Sequence, residues 1–110
     1  MGLNLNDRII FFISLKTKKE DLMNSIIRIF IVDDHEIFRN GLKLVFSKNK
    51  EIEIVGEAES GEDFISQMDA SEFDVVLMDI KMKALSGIDT TAKAIEKNPS
   101  VKVLVLSTFG

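Results

Sequence analysis

Four apolar runs leave this chain little choice of architecture: IIRIFIV at 26–32, IEIVGEA at 52–58, FDVVLM at 73–78 and VKVLVLS at 101–107. The first is a continuous β-branched run and the third is nearly so, which suits strands buried on both faces. The segments between them carry a different period. Ile37, Phe38, Gly41, Leu42, Val45 and Phe46 fall at helical spacing over 36–47 and predict one apolar stripe. A second helix is expected over 60–68, with Phe64, Ile65 and Met68 as its buried stripe. Ser60 is its N-cap, and Asp63 three residues on weakly echoes a capping box. Ile88, Ala92 and Ile95 mark a third helix, stopped by Asn98-Pro99. Strands alternating with short helices predict an α/β fold, a doubly wound parallel sheet with helices on both faces.

The rest of the chain narrows the chemistry. Its 110 residues amount to about one small domain. A seam falls near Met23, since residues 1–22 show no clean period. We read 1–23 as an N-terminal extension outside the core and 24–110 as the folded unit. The formal charge of −4 does not suit a general nucleic-acid binder, and the short KTKKE cluster reads as a solvated segment. With no cysteine there is no disulfide or thiolate metal site, and a lone histidine argues against a zinc cluster. The run IIFFISL at 9–15 is far shorter than the ~20 residues a membrane helix needs. Arg8 is the only basic side chain ahead of it, and KTKKED follows where a leader peptide would place small residues. These features lead us to expect a cytoplasmic protein away from membranes.

The predicted strand ends hold the informative residues. In open parallel sheets ligands bind beyond the carboxyl ends of the strands. The first strand ends in Asp33 and Asp34, the third in Asp79, and the fourth in Ser107 and Thr108. If these strands are neighbours, three carboxylates converge, and each raises the others' pKa unless a cation is present. Oxygen ligands alone point to Mg²⁺, which takes one or two carboxylates and keeps several waters. A hydroxyl on the next strand could bond a phosphoryl oxygen, and a carboxylate could attack phosphorus. Each residue also has a plain structural reading. Asp33 and Asp34 could cap the following helix, and Asp79 could be a turn residue. His35 reads as an exposed first-turn residue, the methionines as filler, and Gly87 as a residue that relaxes the backbone before a helix.

The segments RIFIVDDHEIFRNGLKLVF, VGEAESGED, FDVVLMDIKMKALSGIDTT and VKVLVLST resemble the receiver domain of bacterial two-component response regulators, over about residues 26–109. VDDH followed by RNGLK resembles the NarL/LuxR-type subfamily in particular. The resemblance implies a flavodoxin-like sheet of order 2-1-3-4. It implies that Asp79 accepts a phosphoryl group from a phosphohistidine on a sensor histidine kinase. Asp34 would bind Mg²⁺ directly and Asp33 largely through water. Asp79 and the backbone carbonyl of Lys81 would complete the metal's protein ligands, and Ser107 would be the switch hydroxyl. Such a module takes part in its own phosphoryl transfer and is not a multiple-turnover enzyme.

Two departures from the family stand out. Lys83 occupies a place where proline is usual, a change expected to loosen the loop without touching the chemistry. The family also continues past the equivalent of Gly110 with a last helix-strand-helix that carries an essential lysine. From this we expect a partial receiver whose last strand is a bare apolar edge, open to a homodimer or a swapped oligomer. A non-phosphorylatable interaction or decoy module is the alternative reading. A Mg²⁺-dependent phosphohydrolase is weaker still, because Lys81 stands where a second aspartate would be wanted. The subfamily implies a DNA-binding domain in an intact parent, and no nucleic-acid binding by residues 1–110 themselves.

Overall fold

The computed structural model describes residues 26–106. The run at 9–15, the extension at 1–23, Ser107 and Thr108 lie partly or wholly outside that range. The described elements run β1 (Ile27–Val32), α1 (Glu36–Ser47), β2 (Ile52–Ala58), α2 (Gly61–Gln67), a 3-10 turn (Met68–Ala70), β3 (Val75–Asp79), α3 (Gly87–Lys97) and β4 (Val103–Leu106). All strand pairs are parallel, in the order β2-β1-β3-β4. This is the doubly wound sheet that the alternation of periods predicted.

Strand alternation sorts the core into two layers. Ile27, Ile29 and Ile31 of β1 join Val75 and Leu77 of β3 against Leu42 and Phe46 of α1. Phe30 and Val32 join Val76 and Met78 on the opposite face, against Phe64 of α2 and Ala94 of α3. There Phe30, Phe64 and Phe73 form a tilted aromatic triangle with centroids 5.2, 5.8 and 5.9 Å apart. Such tilted pairs add about 0.5–1.5 kcal/mol each beyond their burial. β3 is buried throughout and β1 everywhere but at Arg28, because both faces are covered, whereas β4 at the edge of the described sheet keeps Val105 exposed.

The helices correct the sequence reading in one respect. Ser60 caps α2 as expected, accepting from the Asp63 amide at 3.0 Å. In α1, however, Ile37 and Val45 face outward, and the buried line is Arg39, Leu42 and Phe46. In α3 the expected apolar stripe is the wrong face. Ile88, Ala92 and Ile95 are exposed, while Gly87, Thr90 and Ala94 are buried. The small residues win because α3 lies close to the sheet, where glycine, alanine and threonine fit and the longer isoleucine does not. Among the described residues no helix is long and apolar enough to cross a membrane.

Candidate functional site

Neighbouring parallel strands end at the same edge of a sheet. Val32 pairs with Met78, so β1 and β3 deliver Asp33, Asp34 and Asp79 to one place. One ligand atom from each of these, and one from His35, lie within 4.8 Å of each other. Asp33 and Asp79 are 3% and 4% exposed. The crowding that the sequence implied is real.

Each carboxylate accepts a hydrogen bond from a backbone amide. The Asp33 amide pairs with the Ala58 carbonyl at 3.1 Å, and Asp33 Oδ1 accepts from the His35 amide at 2.8 Å. The capping alternative fails, because the N-cap of α1 is His35 and makes no side-chain cap bond. Asp79 Oδ1 accepts from the Lys81 amide at 3.1 Å, which ties the loop after β3 to the strand end. Asp34 Oδ2 accepts from the Lys83 amide at 3.1 Å. That bond corrects the expectation that Lys83 touches no chemistry. A proline there would have no N–H to give.

The remaining oxygen is informative. Asp34 Oδ1 is buried and has no hydrogen-bond partner among the described residues. His35 Nδ1 lies 2.9 Å from it, but the same nitrogen lies 3.0 Å from Asp33 Oδ1. One ring N–H cannot be aimed at both oxygens. A buried carboxylate oxygen left in that state is costly, and a cation relieves it. Electrostatics agrees. Burial, with the charges of Asp33 and Asp34 behind it, pushes the Asp79 carboxyl above its ordinary value, against the Lys81 hydrogen bond and His35. Three oxygen donors, no thiolate and one orphaned oxygen fit a hard divalent ion such as Mg²⁺.

Gly87 has a sharper role than backbone relaxation. Its φ is not in the left-handed region. A Cβ there would lie 2.8 Å from the Asp79 carbonyl carbon and from Ile80 Cα, and closer still to the Asp79 carbonyl oxygen. Glycine lets the start of α3 rest directly on the end of β3. Its amide donates to the Ile80 carbonyl at 3.2 Å.

Ser107 lies outside the described residues; Leu106, its neighbour in sequence, pairs with Asp79. Two residues that make contacts at the site escaped the sequence. His35 turns toward the acids although its side chain is 63% exposed. Arg39 is buried, donating through Nη1 to the Asp33 carbonyl at 2.6 Å and through Nε to Glu57 Oε1 at 2.9 Å. Its signal was spacing, since Arg39, Leu42 and Phe46 fall at i, i+3 and i+7 on one helix face.

Residues 29–110 match the family model described as the response regulator receiver domain. The transcriptional regulatory protein DegU of Brevibacillus brevis is 40% identical over 88 residues, covering 80% of this chain and 37% of DegU. Response regulator UvrY of Escherichia coli O157:H7 is 38% identical over 81 residues, covering 74% of this chain and 37% of UvrY. The chain therefore spans well under half the length of these relatives. Among solved structures, response regulator TrrA of Thermotoga maritima in complex with Mg(2+)-BeF has a TM-score of 0.69 at 28% identity. That match covers 77% of this chain and 72% of TrrA.

Proposed function

This chain belongs to the response regulator receiver domain family of two-component systems, and from that premise we propose that Asp79 is its Mg²⁺-dependent phosphoacceptor. The observation that carries the reading is the meeting of Asp33, Asp34 and Asp79 at adjacent strand tips, with Asp34 Oδ1 buried and unpartnered. Asp34, Asp33, Asp79 and the Lys81 carbonyl would hold the ion. When bound, Mg²⁺ offsets the charge of the acids and of the incoming phosphoryl group.

The protein's own residues do the positioning. The Lys81 amide fixes the rotation of the Asp79 carboxyl. An Asp79 oxygen attacks phosphorus as the P–N bond of a phosphohistidine breaks in line, and that bond's electron pair returns to the imidazole. Phosphoryl transfer asks for placement and charge compensation more than for covalent machinery. A raised carboxyl pKa means a more basic oxygen, which suits a nucleophile. Ser107 is proposed as the hydroxyl that bonds the transferred group, and a sensor histidine kinase as the donor. In this reading the domain takes at most one phosphoryl group, on Asp79, and does not turn over as an enzyme.

Incubation with Mg²⁺ and a small acyl phosphate, followed by intact mass measurement, tests this. A labile phosphoryl adduct is expected to form slowly, because residues 1–110 hold no counterpart of the family's essential lysine, and not to form in EDTA or in Asp79→Asn. An adduct that persists unchanged in Asp79→Asn overturns the assignment. No adduct, with a kinase still bound by Asp79→Ala, would favour the interaction module instead.

A further inference from the structure

We propose that Arg39 is a positioning residue for the divalent-cation site: its buried guanidinium fixes the peptide that joins Asp33 to Asp34, and Glu57 fixes the guanidinium. This rests on the reading above that the acidic strand tip holds Mg²⁺.

The geometry starts on α1. Side chains on a helix lean toward its N-terminus, so Arg39 reaches back over the first turn to the end of β1. There Nη1 donates to the Asp33 carbonyl at 2.6 Å. That carbonyl and the Asp34 Cα share one planar peptide unit. Holding the oxygen therefore sets the direction in which the Asp34 side chain leaves the backbone. Asp34 needs such help, because its carboxylate accepts one hydrogen bond, from the Lys83 amide, and the His35 ring nitrogen 2.9 Å from its Oδ1 is shared with Asp33. The Asp33 amide is held from the other side by Ala58 of β2.

The guanidinium is itself anchored. Nε donates to Glu57 Oε1 at 2.9 Å, and the other Glu57 oxygen takes Lys43 Nζ of α1. Glu57 sits on β2, so the clamp joins α1, β1 and β2 at the mouth of the site. The planar fork of arginine serves two acceptors in different directions at once, which a lysine ammonium does not reproduce. Among the described residues the ion-pair partner of Arg39 is Glu57, while neither Asp33 nor Asp34 pairs with it. The arginine thus orders the acids without neutralising them, and leaves their charge to a metal ion.

Stability alone gives little reason for this residue. A cation near a helix N-terminus works against the helix dipole. Replacing a buried ion pair by well-packed apolar residues is often neutral or stabilising. Groups that orient metal ligands without touching the metal typically carry about a ten- to hundredfold share of affinity.

The test separates packing from positioning. Mg²⁺ affinity of the full chain is measured by calorimetric titration for the wild type, Arg39→Met, Arg39→Met/Glu57→Met, Arg39→Lys and Glu57→Gln, with a metal-free melt of each. The double variant removes both partners and is expected to melt near the wild type in EDTA, yet to bind Mg²⁺ about ten- to a hundredfold more weakly. Arg39→Lys keeps the charge and is expected to remain folded with affinity similarly reduced. Glu57→Gln loosens the anchor and is expected to cost a few-fold. If the double variant, or Arg39→Lys should the double variant not fold, binds Mg²⁺ as the wild type does, the role is packing and the inference fails. If the wild type itself does not bind Mg²⁺, the metal reading falls and takes this one with it.

Discussion

Two glycines on helices give the same substitution opposite signs. Gly41 lies within α1, and a Cβ there meets nothing within 4 Å. Alanine at that position should stabilise the fold by about 0.5–1 kcal/mol, from reduced unfolded-state entropy and better helix propensity. Gly87 is the first residue of α3, and its added Cβ would lie 2.8 Å from two backbone carbons. That is about 0.7 Å inside the ~3.5 Å of a relaxed carbon–carbon contact. These carbons and the still nearer Asp79 carbonyl oxygen are all backbone, so no rotamer change relieves the clash. Overpacking of this kind costs about 1–3 kcal/mol, against a propensity gain below about 1 kcal/mol. Gly87→Ala should therefore lose about 1–2 kcal/mol net. For a domain of this size, 1 kcal/mol moves Tm by about 4–8 °C. Thermal melts in EDTA, followed by far-UV circular dichroism, should place Gly41→Ala above the wild type and Gly87→Ala roughly 4–16 °C below it. A Gly87→Ala chain that melts at or above the wild type would refute the direct seating of α3 on the end of β3.

Other outcomes follow from the same geometry. Because the folded-state pKa of Asp79 is raised, the native state holds that proton more tightly, and its contribution to stability is lost as pH rises through the folded pKa. Asp79→Asn should therefore melt above the metal-free wild type at neutral pH, and the difference should close as pH falls toward the ordinary aspartate range; equal melting at neutral pH would contradict the crowding. Glu57 has the opposite sign, since hydrogen bonds from Lys43 and then Arg39 lower its pKa. Its contribution is present above the unfolded value and lost as pH falls through the folded one, so Glu57→Gln should flatten the acid limb of a Tm-versus-pH curve. Phe64→Ala empties a fully buried position in the aromatic triangle and should cost about 3–5 kcal/mol by urea denaturation. Ile95→Gln, on the outer face of α3, should stay within about 0.5 kcal/mol of the wild type by the same method.

Much of this protein is written in local pattern. β-branched runs, helical spacing and the Ser60 cap act over a few residues, and among the described residues the four strands and three α-helices stand where those signals put them. The acids at the ends of the first and third strands were legible for the same reason: in a parallel sheet, neighbours finish together. Only the tertiary structure decided which face of α3 turns inward, because hydrophobicity favoured Ile88 and Ile95 while close approach required Gly87, Thr90 and Ala94. It also decided the reach of Arg39 to the Asp33 carbonyl, of His35 to both acids, and of the Lys83 amide to Asp34. Those contacts join groups up to 49 residues apart, or turn a side chain back on its own helix, and their strength depends on distances that only the packed backbone sets.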